Sequence, residues 1–282
     1  MSPVEGIIDS HCHLQDPKFE AEHEAVVQRA REAGVAALVV VGYDLESSRR
    51  AVEMAESFEN IYATVGVHPH DAKTLSPPDT DALARLAENP RDVAIGEIGL
   101  DFYRNLSPPS AQREAFREQL QLARSLRLPV VIHARDADEE AFDVLAAHSQ
   151  DVLPEWPKDR PLGVMHCFAG DTPLALRYIE IGFLISIAGT VTYPNAEKTR
   201  AVARSIPFRS MVVETDAPYL TPQSRRGRRS EPPYVIETIR QIAELRAETA
   251  SAVAQGTASA AARLFALGNI TDFVVEAAVE RP

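Results

Sequence analysis

The sequence predicts an α/β fold, a single TIM-type (β/α)8 barrel, on three observations. Short β-rich apolar segments alternate with amphipathic helical stretches eight times in a row. No linker of distinct composition interrupts them. The chain length of 282 residues is close to the roughly 250 typical of such barrels. An open doubly wound sheet is the alternative, but no G-x-G-x-x-G follows the first strand and no Walker loop occurs.

Taken in order, the expected strands fall at 6–11, 37–41, 62–67, 93–98, 130–133, 163–166, 183–187 and 211–215. Helices are expected at about 19–33, 47–58, 79–88, 109–127, 136–149, 172–181, 195–204 and 234–247. Pro108-Pro109 opens the fourth helix, because the first helical turn leaves its N–H groups unpaired and loses nothing to proline. Gly34 and Gly182 close the first and sixth, where a left-handed residue ends a helix at least cost. An Ala- and Ser-rich stretch at 249–267 predicts one or two extra helices. Pro154, Pro157 and Pro161 around Trp156 mark a long loop before the sixth strand. One domain over 1–282 is expected.

Apolar residues make up 45% of the chain and charged ones 25%, enough for a sizeable core. No run of 18 uncharged apolar residues occurs, and Met1 to Asp9 carry neither a basic region nor a long apolar run. Export and membrane insertion are not expected. Two cysteines, Cys12 and Cys167, are too few for a disulfide framework, so a reducing cytoplasm is the expected location. Each lies beside a histidine, but neighbours on a strand face opposite sides. Both are read as small buried residues, not thiolate ligands. The net charge of -12 argues against a general nucleic-acid coating protein, which needs a broad basic surface. It leaves room for an enzyme that grips a few phosphates.

In a barrel, catalytic groups sit at the carboxyl ends of strands, and here those ends carry titratable residues. His11 and His13 are two apart on an extended segment, so both imidazoles can face one ion or hydrogen-bond as a buried pair. Glu97 follows Ala94-Ile95-Gly96, where an unpaired carboxylate is expensive to bury and a metal or an ion pair removes the cost. His133 ends the fifth strand, His166 the sixth, and Asp216 follows the eighth. Together these six residues point to a metal site at one rim. His23 and His148, on predicted helices, are expected to be exposed and to stand outside it.

Ile8-Asp9-Ser10-His11-Cys12-His13-Leu14, Val65-Gly66-Val67-His68-Pro69-His70, Gly96-Glu97-Ile98-Gly99-Leu100-Asp101, Pro129 to Asp136, His166-Cys167-Phe168 and Glu214-Thr215-Asp216-Ala217-Pro218-Tyr219-Leu220 resemble the successive motifs of TatD-type metal-dependent deoxyribonucleases. They stand in that family's order and span nearly the whole chain. The resemblance implies that His11, His13 and Asp216 hold one metal, that His133 and His166 hold another, and that Glu97 bridges the two. A glutamate on the fourth strand, where amidohydrolases often place a carboxylated lysine, favours TatD over those relatives. One departure is Arg226-Gly227-Arg228-Arg229-Ser230-Glu231-Pro232, where the family commonly shows Arg-Gly-Lys-x-Asn-Glu-Pro.

The expected activity is hydrolysis of phosphodiester bonds, since two divalent ions can activate water near neutral pH and clamp the attacking and leaving oxygens. Mg²⁺, Mn²⁺ and Zn²⁺ all suit the mixed donors. Asp216 is the candidate to orient the attacking water and accept its proton. Arg225, Arg226, Arg228 and Arg229 crowd the loop after the eighth strand, where guanidinium groups can bind phosphate in bidentate fashion. His68, His70 and Tyr103 are further candidates for contacting phosphate or base. The expected substrate is DNA, as single strands or short ends trimmed by 3'-5' exonuclease action, and the expected state is a monomer. An amidohydrolase acting on a cyclic amide, ester or phosphotriester is the alternative enzyme. A barrel that keeps metals without catalysis is the alternative outside enzymes.

Overall fold

The computed structural model describes residues 4–268. The expectation of no leader therefore rests partly on residues outside those described, and the domain expectation extends beyond them at both ends. Strands and helices alternate as β1 (Ile7–Cys12), α1 (His23–Glu32), β2 (Val35–Val41), α2 (Leu45–Ser57), β3 (Ile61–Val65), α3 (Pro77–Leu86), β4 (Asp92–Asp101), α4 (Pro109–Leu126) and β5 (Val130–Arg135). They continue as α5 (Asp138–Val152), β6 (Gly163–Met165), α6 (Thr172–Glu180), β7 (Phe183–Ile187), α7 (Glu197–Ser205), β8 (Met211–Val213), α8 (Val235–Arg246) and α9 (Ala250–Phe265). The strands form one eight-stranded sheet in sequential order, β1 to β8. That order, with a helix after each strand, is the TIM-type arrangement. No helix among the described residues is long and apolar enough to cross a membrane.

The chain divides into two compact units. The first is formed by the described parts of Met1–Val39, Cys167–Leu176 and Ile185–Pro282. All six residues of β1 are buried, and β7 pairs in parallel with β8 through Ile185–Met211, Ser186–Val212 and Ile187–Val213. Past their ends, the two outermost strands of the sheet meet. The His13 N–H donates to the Ala217 carbonyl at 2.7 Å, and the Asp216 N–H to the His11 carbonyl at 2.9 Å. Helix α9 packs on β1 and β8, because its alanines at 254, 258, 260 and 261 are small enough to be buried there. It is one helix, capped by the Thr249 side chain, which accepts from the Ala252 N–H.

The second unit is Val40–His166 with Arg177–Leu184. Here β3, β4, β5 and β6 pair in parallel, with register shifts between Ala63 and Thr64 and between Ile95 and Ile98. Two buried glutamines of α4 fasten it to the strand ends. Gln119 exchanges hydrogen bonds with the Val67 N–H and carbonyl, at 2.7 and 3.0 Å. Gln112 does the same for Asp101, at 2.8 and 3.1 Å.

Element boundaries depart from the sequence expectation for local reasons. The segment expected as one helix at 19–33 opens as a tight turn, Pro17–Phe19, capped by Asp16. Ala21 then adopts a left-handed φ of 64° and α1 begins only at His23. Strand β4 runs to Asp101, three residues past the expected end, because Gly99 at φ 140° supplies a conformation that other residues adopt only under strain. β6 and β8 are shorter than expected, so His166 and Glu214-Thr215-Asp216 lie in the segments just past them. Helix α3 starts at Pro77, capped by Ser76 with Asp79. The loop before β6 is anchored by Trp156, which is buried and donates from Nε1 to the Arg160 carbonyl at 2.8 Å.

Candidate metal centre

In the first unit, β1 carries His11 inward and the chain continues extended to His13, so the two rings meet. Their Nε2 atoms lie 3.2 Å apart, and Asp216 Oδ1 stands 3.8 Å from the first and 3.4 Å from the second. All three residues are buried. A tetrahedral ion with bonds of about 2.0–2.1 Å holds its nitrogen ligands about 3.3 Å apart. The observed spacing fits that geometry with no rearrangement of the pair. Asp216 reaches the histidines through a left-handed backbone, φ 55°, which aspartate tolerates better than most residues.

Asp9 fixes this arrangement from beneath. Its Oδ1 accepts from the Thr215 N–H at 2.9 Å and its Oδ2 from the Thr215 hydroxyl at 2.6 Å. The Thr215 hydroxyl also accepts from the Ala217 N–H at 3.2 Å. The residue before Asp216 is thus tied to the strand that carries His11. Burial pushes the Asp9 carboxyl up to about 8, against the lowering effect of the Thr215 bonds. Glu214 turns elsewhere and accepts from the Cys167 N–H at 2.6 Å. Cys12 is buried and Cys167 half-buried; the Cys12 thiol faces the Val39 carbonyl.

In the second unit, Glu97 is buried at the middle of β4 and its Oε1 is the focus of three imidazoles. His133 Nδ1 is 2.9 Å away, His68 Nε2 3.4 Å and His166 Nε2 3.8 Å. His133 is held at both ends, because its Nε2 lies 3.1 Å from Asp101 Oδ2. The same Asp101 oxygen is 2.9 Å from His70 Nε2, and Asp101 Oδ1 accepts from the Arg104 N–H at 2.7 Å. A carboxylate on the far nitrogen of a ligating histidine fixes ring orientation and raises its basicity. Burial opposes charge on His133, yet the bonds to Asp101 and Glu97 outweigh it and raise its pKa. Burial likewise opposes ionisation of Asp101, but its bonds from His133, the Arg104 N–H and His70 hold it well below the usual carboxylate range.

His68 plays a different part. Its Nδ1 accepts from the His70 N–H at 3.0 Å, and burial lowers its pKa to about 4. The neutral ring then carries its proton on Nε2, aimed at Glu97. That tautomer donates a hydrogen bond towards Glu97, and His68 with Glu97 and His133 also forms a group that could hold a cation. Both three-residue sets combine imidazole with carboxylate, donors that suit a divalent cation. The structure thus brings together His11, His13 and Asp216 in one unit and His68, Glu97 and His133 in the other, with His166 Nε2 3.8 Å from Glu97 and its ring centroid 6.4 Å from that of His133.

The remaining candidates are placed less uniformly. Arg225 is paired with Glu237 at 3.0 Å, and Arg229 with Glu22 and Glu231, each at 2.9 Å. Arg226 stacks over Tyr193, 4.6 Å from its ring centroid. Arg228 has no ion pair among the described residues. Tyr103 is exposed beyond β4. His23 and His148 prove partly buried, and burial lowers His148 to about 4; their helices pack these faces inward. Sequence reasoning assigns no part to Asp9 and Asp101, which the structure sets against Thr215 and against His133 and His70. For the two aspartates the signal available was their position inside the first and fourth motifs.

The family model for TatD related DNase matches residues 8–266. The chain is 38% identical over 259 residues to the metal-dependent hydrolase YabD of Bacillus subtilis, covering 92% of this chain and 98% of that protein. It is 36% identical over 264 residues to the 3'-5' ssDNA/RNA exonuclease TatD of Salmonella typhimurium, covering 92% and 98%. Among solved structures, the TatD homolog YJJV from Escherichia coli superposes with a TM-score of 0.85 at 33% identity, covering 93% and 98%. Strand order, helix alternation and likeness over nearly the full length agree: this chain belongs to the TatD related DNase family.

Proposed function

We propose that this protein is a divalent-metal-dependent 3'-5' exonuclease that trims single-stranded DNA or RNA ends, acting as one catalytic domain. The facing Nε2 atoms of His11 and His13, 3.2 Å apart with Asp216 beside them, carry the metal part of this proposal. The substrate class is supported by relatives named as 3'-5' ssDNA/RNA exonucleases, such as the Salmonella protein. His11, His13 and Asp216 would hold one ion, and Glu97, His133 and His166 a second. When bound, Mg²⁺, Mn²⁺ or Zn²⁺ would lower the pKa of water and stabilise charge on the phosphodiester oxygens.

The protein's own groups then do the rest. Asp216 orients the attacking water and accepts its proton. Asp9 keeps Thr215 and Asp216 in place, and Asp101 holds the His133 ring in orientation. His68, neutral with its proton on Nε2, donates to Glu97 or to a phosphate oxygen without adding charge. Arg226 and Arg228 are the phosphate contacts best suited in the loop after β8, since Arg225 is already paired with Glu237. Tyr103 contributes a ring to a base.

The test is a ladder assay on 5'-labelled single-stranded DNA and RNA with metal-stripped protein and each cation restored in turn. Stepwise shortening from the 3' end supports the proposal. Hydrolysis of lactones or cyclic amides with no oligonucleotide product would replace it by the amidohydrolase alternative.

A further inference from the structure

Two residues past the Glu97–His133–Asp101 cluster, an exposed aromatic ring and an exposed guanidinium lie on one another. Arg135 Cζ is 3.9 Å from the Tyr103 ring centroid. Tyr103 is 60% exposed, the most of any large apolar side chain among the described residues, and Arg135 is exposed as well. Neither side chain makes a hydrogen bond or ion pair among the described residues, so stacking alone holds them together.

The backbone that carries them is firmly fixed. Asp101 of β4 pairs in register with Arg135 of β5, and the Phe102 N–H donates to the Arg135 carbonyl at 2.9 Å. The turn that follows is closed twice. The Arg104 N–H donates to Asp101 Oδ1 at 2.7 Å, and Asn105 Nδ2 to the Phe102 carbonyl at 2.6 Å. Phe102 is covered by Arg113, 5.2 Å from its ring centroid, while Tyr103 turns outward. The result is a rigid mount for an open ring.

Position gives the ring its use. On an extended strand, Arg135 stands about 7 Å beyond His133, the span between a phosphate held at the cluster and the base of an adjoining nucleotide. A π face stacks with any base, and guanidinium adds a cation over it. Resting on the proposed nuclease activity, we infer that Tyr103 and Arg135 form a base-stacking platform for the nucleotide next to the scissile phosphate. Its ligand is a nucleobase of any identity, in DNA or RNA.

The test uses the metal-replete enzyme and a single-stranded oligonucleotide with 2-aminopurine next to the scissile linkage, phosphorothioate-linked to slow turnover. Binding to the wild type quenches the probe. Tyr103→Ala abolishes the quenching and, on the cleavable oligonucleotide, raises KM about tenfold with kcat within about twofold. Tyr103→Phe keeps both properties, and Arg135→Ala raises KM. An abasic residue at the same position raises the wild-type KM to that of Tyr103→Ala and leaves the variant unchanged. Equal quenching by wild type and Tyr103→Ala overturns the platform, as does a KM penalty that persists on the abasic substrate. Absence of cleavage by the wild type with every cation defeats the nuclease activity instead, and the quenching titration still decides the platform.

Discussion

Asp9 and Asp101 illustrate how a few buried carboxylates set the chemistry of the histidines around them. Asp101 fastens His133 and His70 through one oxygen, whereas Asp9 never faces a histidine ring and acts on Asp216 through Thr215. Asp9→Ala leaves the Thr215 N–H and hydroxyl without their buried acceptor, which costs about 1–3 kcal/mol of stability. It should also weaken cation binding at His11 and His13 about 10- to 100-fold, the usual loss when an outer partner is removed; competition titration with a chelator measures it. Glu97→Gln keeps the shape but lowers the donor charge, so turnover should fall at least about a hundredfold with an unchanged circular dichroism spectrum. The H-x-H pair and Glu97 were legible in the sequence because their spacing and apolar flanks constrain them. The roles of Asp9 and Asp101 were not, since nothing local shows which donor a buried aspartate will meet.

At the scale of elements, β4 carries most of the tension between fold and site. Gly99 lies between Glu97 and Asp101 at φ 140°, and a Cβ there would stand 2.0 Å from the His133 carbonyl oxygen. Gly99→Ala should therefore destabilise the protein by about 2 kcal/mol or more and displace His133, read as a lower Tm with weakened metal binding. At the other end of the strand, both oxygens of buried Asp92 lack a hydrogen-bond partner among the described residues, and burial raises its pKa well above 3.8. Between pH 3.8 and that raised value, the unfolded chain releases this proton and the folded one keeps it, so stability falls as pH rises. Asp92→Asn removes the loss. Its Tm should match the wild type near pH 3.5 and exceed it by about 2–4 °C at pH 7, for a gain of about 1 kcal/mol. Element order was legible because apolar periodicity survives in every unit. Exact ends were not, where one residue such as Ala21 or Gly99 takes a positive φ that composition does not announce.

For the whole molecule, a net charge of -12 leaves little for a nucleic acid to bind except local cations. The arginines after β8 read as a basic cluster in sequence, yet Arg229 finds Glu22 207 residues away and Arg225 finds Glu237. Pairing over such separations is invisible to local composition. The double variant Arg226→Ala, Arg228→Ala should raise KM for single-stranded DNA about tenfold at low salt and reduce the slope of log KM against log salt by about one to two. An unchanged slope would remove both from phosphate binding. The most direct test of the metal chemistry is elemental analysis of the metal-replete protein after gel filtration, for the wild type and for His13→Ala and His166→Ala. Two ions per wild-type chain and one in each variant is the predicted result. A wild type that binds none, or variants that retain both ions, would contradict it.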